Sequence, residues 1–280
     1  MEHYQESLQI VQRLAESDPE NAEKHQDWLI GISRVANVHA AEKLFDQALA
    51  SYQKGLVLAR QLSEKKPQVI EFKRDLSIWL ELTADIHNQL SKPGDAISLF
   101  EECLAIREGL LNASPNDARS QSDVATALDN VGTTLGELER FEESANFLSR
   151  AVDLTASLAK NDPRNLAIQL DLATAKMRLG ISRKLQGNLH VAIRELSESQ
   201  SVSAALMKAD PTFLEYRKIW VETTKLLANA EFAAHKPDQA KAHWNAFKSL
   251  LTQMIEDGIE TGWAKQELEL VDAELVRIMP

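Results

Sequence analysis

A proline returns on a fixed beat through this chain. Asp18-Pro19, Lys66-Pro67, Ser114-Pro115, Asp162-Pro163 and Asp210-Pro211 stand 48 residues apart over four successive intervals. A period in that range marks a solenoid, in which each repeat buries its apolar face only against its neighbours. The chain has 280 residues, the length at which one globular core stops growing, about 250–300 residues. A repeat array escapes that limit because it grows in one dimension. Asp or Ser before Pro also reads as an N-cap followed by Pro at the first helical position, so each dipeptide is taken as a helix start.

Taking the first residue of each dipeptide as the origin gives five repeats: 18–65, 66–113, 114–161, 162–209 and 210–257. Trp28, Leu76, Val124, Leu172 and Trp220 form an apolar column. Ala36, Ala84, Gly132, Gly180 and Ala228 form a small-residue column, and Ala48, Ala96, Ser144, Ala192 and Ala240 a second. Four residues on come Tyr52, Phe100, Leu148, Leu196 and Trp244, and the repeat closes on Leu62, Leu110, Leu158, Leu206 and Met254. Small residues let two antiparallel helices approach, and a large residue one turn later fills the space between them. The expected pairs are 20–40 with 45–64, 68–90 with 94–112, 116–138 with 142–160, 164–186 with 189–208, and 212–234 with 238–256.

The breaks within pairs carry turn chemistry at Ser91-Lys-Pro-Gly-Asp95, Gln186-Gly-Asn188 and His235-Lys-Pro-Asp238. They are weakly marked near Glu42–Asp46 and Glu139–Glu142. The ends keep register. Tyr4, Leu8 and Leu14 fall on the columns of Tyr52, Leu56 and Leu62, so residues 1–17 read as a second helix without its first. Residues 258–280 read as a first helix without its second, amphipathic and acidic, as the cap of an array should be. The expectation is an all-α, right-handed superhelical solenoid of antiparallel helix pairs over 1–280, about 12 helices long. Starting at an unpaired second helix suggests a fragment with an upstream part elsewhere.

Composition agrees and limits the partner. Glycine (10) and proline (8) are few, aromatics make up 6%, and Ala, Leu, Glu, Lys, Gln and Arg dominate, as in an all-helical chain. A formal charge of -11 argues against nucleic acid or an anionic membrane as the main partner. Cys103 is the one cysteine and cannot form an intrachain disulfide, and no signal peptide or long apolar span is present. A cytoplasmic location is expected.

These columns resemble the tetratricopeptide repeat (TPR), whose first helix carries a small residue and whose second carries Ala, an aromatic and Ala. Gly132 or Gly180 stands in the first role, with Ala96 and Phe100, or Ala48 and Tyr52, in the others. The usual unit has about 34 residues. The roughly 14 extra are close to four helical turns at about 3.6 residues each, so lengthening both helices keeps their faces in phase. The chain is similar to a long-repeat bacterial subtype, with Asp27-Trp28, Asp75-Leu76, Asp123-Val124 and Asp171-Leu172 in first helices and endings like Leu104-Ala-Ile-Arg-Glu-Gly-Leu110. Departures are the replacement of the usual first-helix Tyr by His39, His87, Leu135, Arg183 and Glu231, and Ile219 where Asp is expected.

The resemblance implies a concave wall of first helices. Its exposed positions would be Arg34 and Asn37, then Glu81, Asp85 and Asn88, then Asp129, Asn130 and Thr133, then Thr174, Arg178 and Lys184, and finally Glu222, Lys225 and Asn229. Some family members clamp a C-terminal carboxylate. Asn130 and Arg178 match that clamp, but Glu81, Asp85 and Thr174 occupy its other places, so carboxylate capture is not expected. These positions run from acidic in repeats two and three towards basic in repeat four. That gradient is either complementary to a segment of opposite polarity or a solvated face.

His39 and His87 share a column on neighbouring first helices, but no Cys or third His joins them. They read as structural replacements for Tyr, not zinc ligands, which come in sets of three or four. Cys103 reads as buried packing, and no phosphate loop, HExxH, GxSxG or paired CxxC is present. Trp28, Trp220 and Trp244 are taken as core. Trp79 lies off the main column and Trp263 opens the cap, with core packing preferred over a contact surface for both. The functional expectation is a non-catalytic scaffold binding a peptide or protein segment, with no cofactor or metal. Its rivals are a sensing or regulatory arm of a larger bacterial signalling or effector protein, kinase- or protease-linked, and a homo-oligomerisation module acting through residues 1–17.

Overall fold

The computed structural model describes residues 2–18 and 20–278; among them run twelve α-helices and no strand. They are α1 (Glu2–Glu16), α2 (Ala22–Ala41), α3 (Phe45–Lys65), α4 (Ile70–Gln89), α5 (Pro93–Ala113), α6 (Ala118–Glu137), α7 (Phe141–Asn161), α8 (Leu166–Leu185), α9 (Leu189–Ala209), α10 (Leu214–Ala233), α11 (Pro237–Glu256) and α12 (Thr261–Ile278). First helices start at 22, 70, 118, 166 and 214, and second helices at 45, 93, 141, 189 and 237. Both series keep the 48-residue beat, and every expected boundary in the five pairs falls within two residues of the observed one. No helix among the described residues is long and apolar enough to cross a membrane.

The role of the proline dipeptides is corrected. Lys66, Ser114, Asp162 and Asp210 are the C-caps of α3, α5, α7 and α9, not N-caps of the helices that follow. Their φ values run from −131° to −144° with ψ from 65° to 95°. A residue before proline is pushed out of the α region by the ring, so the dipeptide ends a helix. The following helix is capped further on, by Asn21, Val69, Asp117, Asn165 and Phe213. The side chains of Asn21, Asp117 and Asn165 accept from the N–H of Lys24, Ser120 and Ile168 at 3.3, 3.1 and 3.3 Å. Pro19 lies outside the described residues.

The turn inside each pair is equally regular. Lys43, Ser91, Glu139, Gly187 and His235, again 48 apart, hold left-handed φ values between 56° and 80°. The Lys43 N–H reaches the Ala40 carbonyl at 3.0 Å and the Leu44 N–H that of His39 at 2.8 Å. Gly187 and Asn188 repeat the pattern on Lys184 and Arg183, both at 2.9 Å. This Schellman closure satisfies the last carbonyls of each first helix. Only Gly187 has the residue type that signals it.

Residues 1–139 and 140–280 form two compact units. In the first, each helix packs on the next from α1 to α6, and Ala36, Ala84, Ala48, Ala96, Tyr52, Phe100, Leu62 and Leu110 are buried, as their columns require. Trp79 is buried edge-on to Tyr52, with ring centroids 6.1 Å apart, and lies over Gly55. Trp28 is half-buried, which corrects its assignment to the core. Cys103 is buried, and burial pushes its thiol up to about 12, so it carries no thiolate at neutral pH.

In the second unit helices pack in order from α7 to α12. Ser144, Ala192, Ala240, Leu148, Leu196, Trp244, Leu158, Leu206 and Met254 are buried. The small column is explained at Gly180, where a Cβ would lie 2.7 Å from the Leu196 Cγ atom. Trp220 is half-buried, a second correction.

Candidate binding surfaces on the first helices

Side chains that stitch one first helix to the next show that α2, α4 and α6 stand side by side in the first unit. Gln26 donates to Asp75 at 3.3 Å, Arg74 to Asp123 at 2.5 Å, Asn130 to Glu81 at 2.8 Å and Asn88 to the Thr134 hydroxyl at 3.1 Å. Each pair is separated by 46 or 49 residues, one repeat.

Of the first-unit positions singled out in the sequence, Arg34, Asn37 and Asp85 are exposed, while Glu81, Asn88, Asp129, Asn130 and Thr133 are half-buried. Asn37 accepts from the Tyr52 hydroxyl. Burial first, and then the Asp85 charge, raise the Tyr52 phenol above its ordinary value, so Asn37, Tyr52 and Asp85 form one polar group over α2, α3 and α4. Glu81 is turned inward. It pairs with Arg107 of α5, which is only 5% exposed and also reaches the Asp123 carbonyl at 3.1 Å. The Asn88 amide oxygen and the Thr133 hydroxyl are buried without a hydrogen-bond partner among the described residues.

In the second unit, Thr174 is half-buried and back-bonded to the Leu170 carbonyl at 3.0 Å, and Arg178 and Lys184 are half-buried on the same helix. Glu222, Lys225 and Asn229 come together. They line a cleft of about 510 Å³ between α10 and α12, with Lys218, Val221, Leu226, Glu260, Trp263 and Glu267. Lys225 pairs with Glu267 at 3.0 Å. Thr174, Arg178 and Lys184 do not line it.

No family profile matches the chain, and no curated protein matches its sequence. Solved structures do. The chain is similar to BtubC (BKLC) from P. vanneervenii at 19% identity, covering 90% of this chain and 89% of that one with a TM-score of 0.67. RapI in its apo form is similar at 16% identity, with coverages of 97% and 90% and a TM-score of 0.56. The TPR-like repeats of a putative kinesin light chain from Podosopora anserina match at 16% identity, with coverages of 81% and 94% and a TM-score of 0.51. The fold is TPR-like.

Within that fold, sequence reasoning missed the wall contributed by α12. An acidic amphipathic helix reads as a cap, yet Trp263 and Glu267 face α10 across the cleft. The deviation of Trp263 from the apolar columns was the available sign. The inward turn of Glu81 was hidden for a different reason: its partner, Arg107, sits on a second helix 26 residues away.

Proposed function

We propose that this chain is a protein-binding scaffold that takes a peptide or protein segment on the faces of its first helices. The α10–α12 cleft carries the reading. Binding sites combine an apolar surface with a few placed polar groups, and here Val221, Leu226 and Trp263 lie among Lys218, Lys225, Glu222, Asn229 and two further carboxylates. A segment of mixed charge, with an apolar residue to set against Trp263, complements it. In the first unit the exposed carboxylate of Asp85 favours a basic stretch. The 48-residue period supports placing the chain with the long bacterial-type repeats.

A peptide library screened against the purified protein tests this. For a selected peptide, Trp263→Ala and Lys225→Glu are each expected to weaken binding about tenfold or more, the scale of an interface hot spot. Unchanged affinity in both variants, with helicity intact, would remove the cleft from the interface.

The exposed face of α1 favours a second reading, self-association. Tyr4 and Leu14 are 45% and 49% exposed, whereas Tyr52 and Leu62 in the same columns are 3% and 6% exposed. Sedimentation velocity is expected to show a concentration-dependent dimer that Leu14→Glu abolishes. A monomer at all concentrations would dismiss this reading.

A further inference from the structure

In most of the second unit the helices meet through apolar side chains, but between α9, α10 and α11 a line of polar groups crosses the packing. Thr224 donates its hydroxyl to the Trp220 carbonyl at 2.7 Å. The Gln200 amide nitrogen lies 2.8 Å from the Thr224 oxygen and 3.3 Å from Nδ1 of His243. Nε2 of His243 stands 3.6 Å from Oε2 of Glu231, a buried carboxylate oxygen with no hydrogen-bond partner among the described residues.

The direction of this line follows from its end. The Trp220 carbonyl can only accept, so Thr224 spends its one hydrogen there and can only accept from Gln200. The Gln200 group facing it is therefore NH₂, whose two hydrogens go to Thr224 and to Nδ1 of His243. Nδ1 must then be bare, which fixes the neutral imidazole as the Nε2–H tautomer, aimed at Glu231.

Adding a proton at Nδ1 sets a donor against a donor. One rearrangement repairs every contact. Rotating the Gln200 amide by half a turn presents its oxygen, whose two lone pairs accept from Nδ1–H of His243 and from the Thr224 hydroxyl, which leaves Trp220. The imidazolium then faces the Glu231 carboxylate. In both arrangements Thr224, Gln200 and Nδ1 of His243 keep matched donors and acceptors, the condition for two discrete states and not a gradual drift.

We propose that Thr224, Gln200, His243 and Glu231 form a proton-driven two-state hydrogen-bond switch that joins α9, α10 and α11. Burial lowers the His243 pKa and raises that of Glu231, the second effect opposed by Lys236 in the intervening turn. The group meeting His243 from α9 is the neutral Gln200. On the far side of α11, α12 carries Glu267, held by Lys225, Asp272, held by Lys248, and the half-buried Glu274.

The signs follow. His243 has a folded value below its ordinary 6.5, so its contribution to stability is complete above 6.5. It is lost as pH falls towards the folded value, because the unfolded chain binds the proton first. Glu231 has a folded value above its ordinary 4.5, so its contribution is complete below 4.5 and lost as pH rises through the folded value. Mild acid therefore weakens the neutral arrangement and drives the reversal.

Nitrogen-15 NMR of the full chain tests the switch. At neutral pH His243 is expected as the Nε2–H tautomer, and on acidification the Gln200 amide and His243 resonances should shift with one midpoint. Thr224→Val frees Gln200 to rotate and is expected to raise the midpoint by about half a unit or more. Thr224→Ser should leave it in place, and Glu231→Gln, which removes the charge facing the imidazolium, should lower it. Burial alone predicts no rise from Thr224→Val, since a valine methyl adds apolar surface. An Nδ1–H tautomer in the unaltered protein, or a midpoint that Thr224→Val leaves alone or lowers, would overturn the switch.

Discussion

Replacing Arg107 with alanine is expected to lower the stability of the unit formed by residues 1–139 by about 3–5 kcal/mol, the range for removing one partner of a buried ion pair. Arg107 is 5% exposed, and its guanidinium forks onto both oxygens of Glu81 while reaching Ser77 at 3.4 Å and the Asp123 carbonyl at 3.1 Å. Without it the Glu81 side chain, 18% exposed, keeps the Asn130 amide but loses its cation. The loss is the stranded carboxylate, not the former attraction. Arg107→Lys should recover only part, because an ammonium cannot reproduce the fork. Replacing Arg107 and Glu81 together by Met and Leu should recover more, since well-packed apolar residues often match a buried pair. Two compact units make a single melting curve ambiguous, so amide exchange in α4, α5 and α6 is the appropriate measurement. Exchange in those helices unchanged by Arg107→Ala would refute the buried-pair assignment.

Trp79→Ala is expected to be of similar size, about 3–5 kcal/mol, because the indole fills space that the rest of its column does not need. Its equivalents are Gly31, Ala127, Ala175 and Thr223, and opposite it sits Gly55, whose equivalents are Cys103, Ala151, Ser199 and Phe247. The repeat has exchanged bulk between two facing columns. Gly55→Ala alone illustrates the competition. Helix propensity favours alanine by about 0.5–1 kcal/mol, but the added carbon would lie 2.1 Å from the Trp79 ring. The ring is hemmed in by Tyr52, so overpacking of about 1–3 kcal/mol should win. In the Trp79→Ala background the sign reverses: Gly55→Leu should restore part of the loss, and a double-mutant cycle measures it. Additive effects would mean that the two sites do not share this space.

The repeat was legible because its signal is arithmetic. A 48-residue beat in small and large columns survives the divergence of any one residue, and the helix boundaries followed from it. Local chemistry was read less well. Pro after Asp or Ser suits a helix start, yet the ring acts backwards on the residue before it, and Lys66, Ser114, Asp162 and Asp210 close helices instead. The turns near Lys43 and Glu139 looked weak because four of five left-handed positions carry ordinary side chains, held there by the packing of the pair. On the first-helix faces, column position says which residues look outward but not what reaches them from elsewhere. Arg107 captures Glu81 from the second-helix layer, and α12 supplies Trp263 to the cleft. Neither partner lies in the column of the residue it meets.

We propose that ligand recognition belongs to the first-helix faces. Hydrogen–deuterium exchange of the full chain, with and without a selected peptide, tests it most directly. Protection is expected along the first helices, at the exposed Asn37 and Asp85 and the half-buried Thr133, or at the half-buried Lys225 and Asn229 and the facing turn of α12. Protection confined to the second helices α3, α5, α7, α9 and α11 would contradict it.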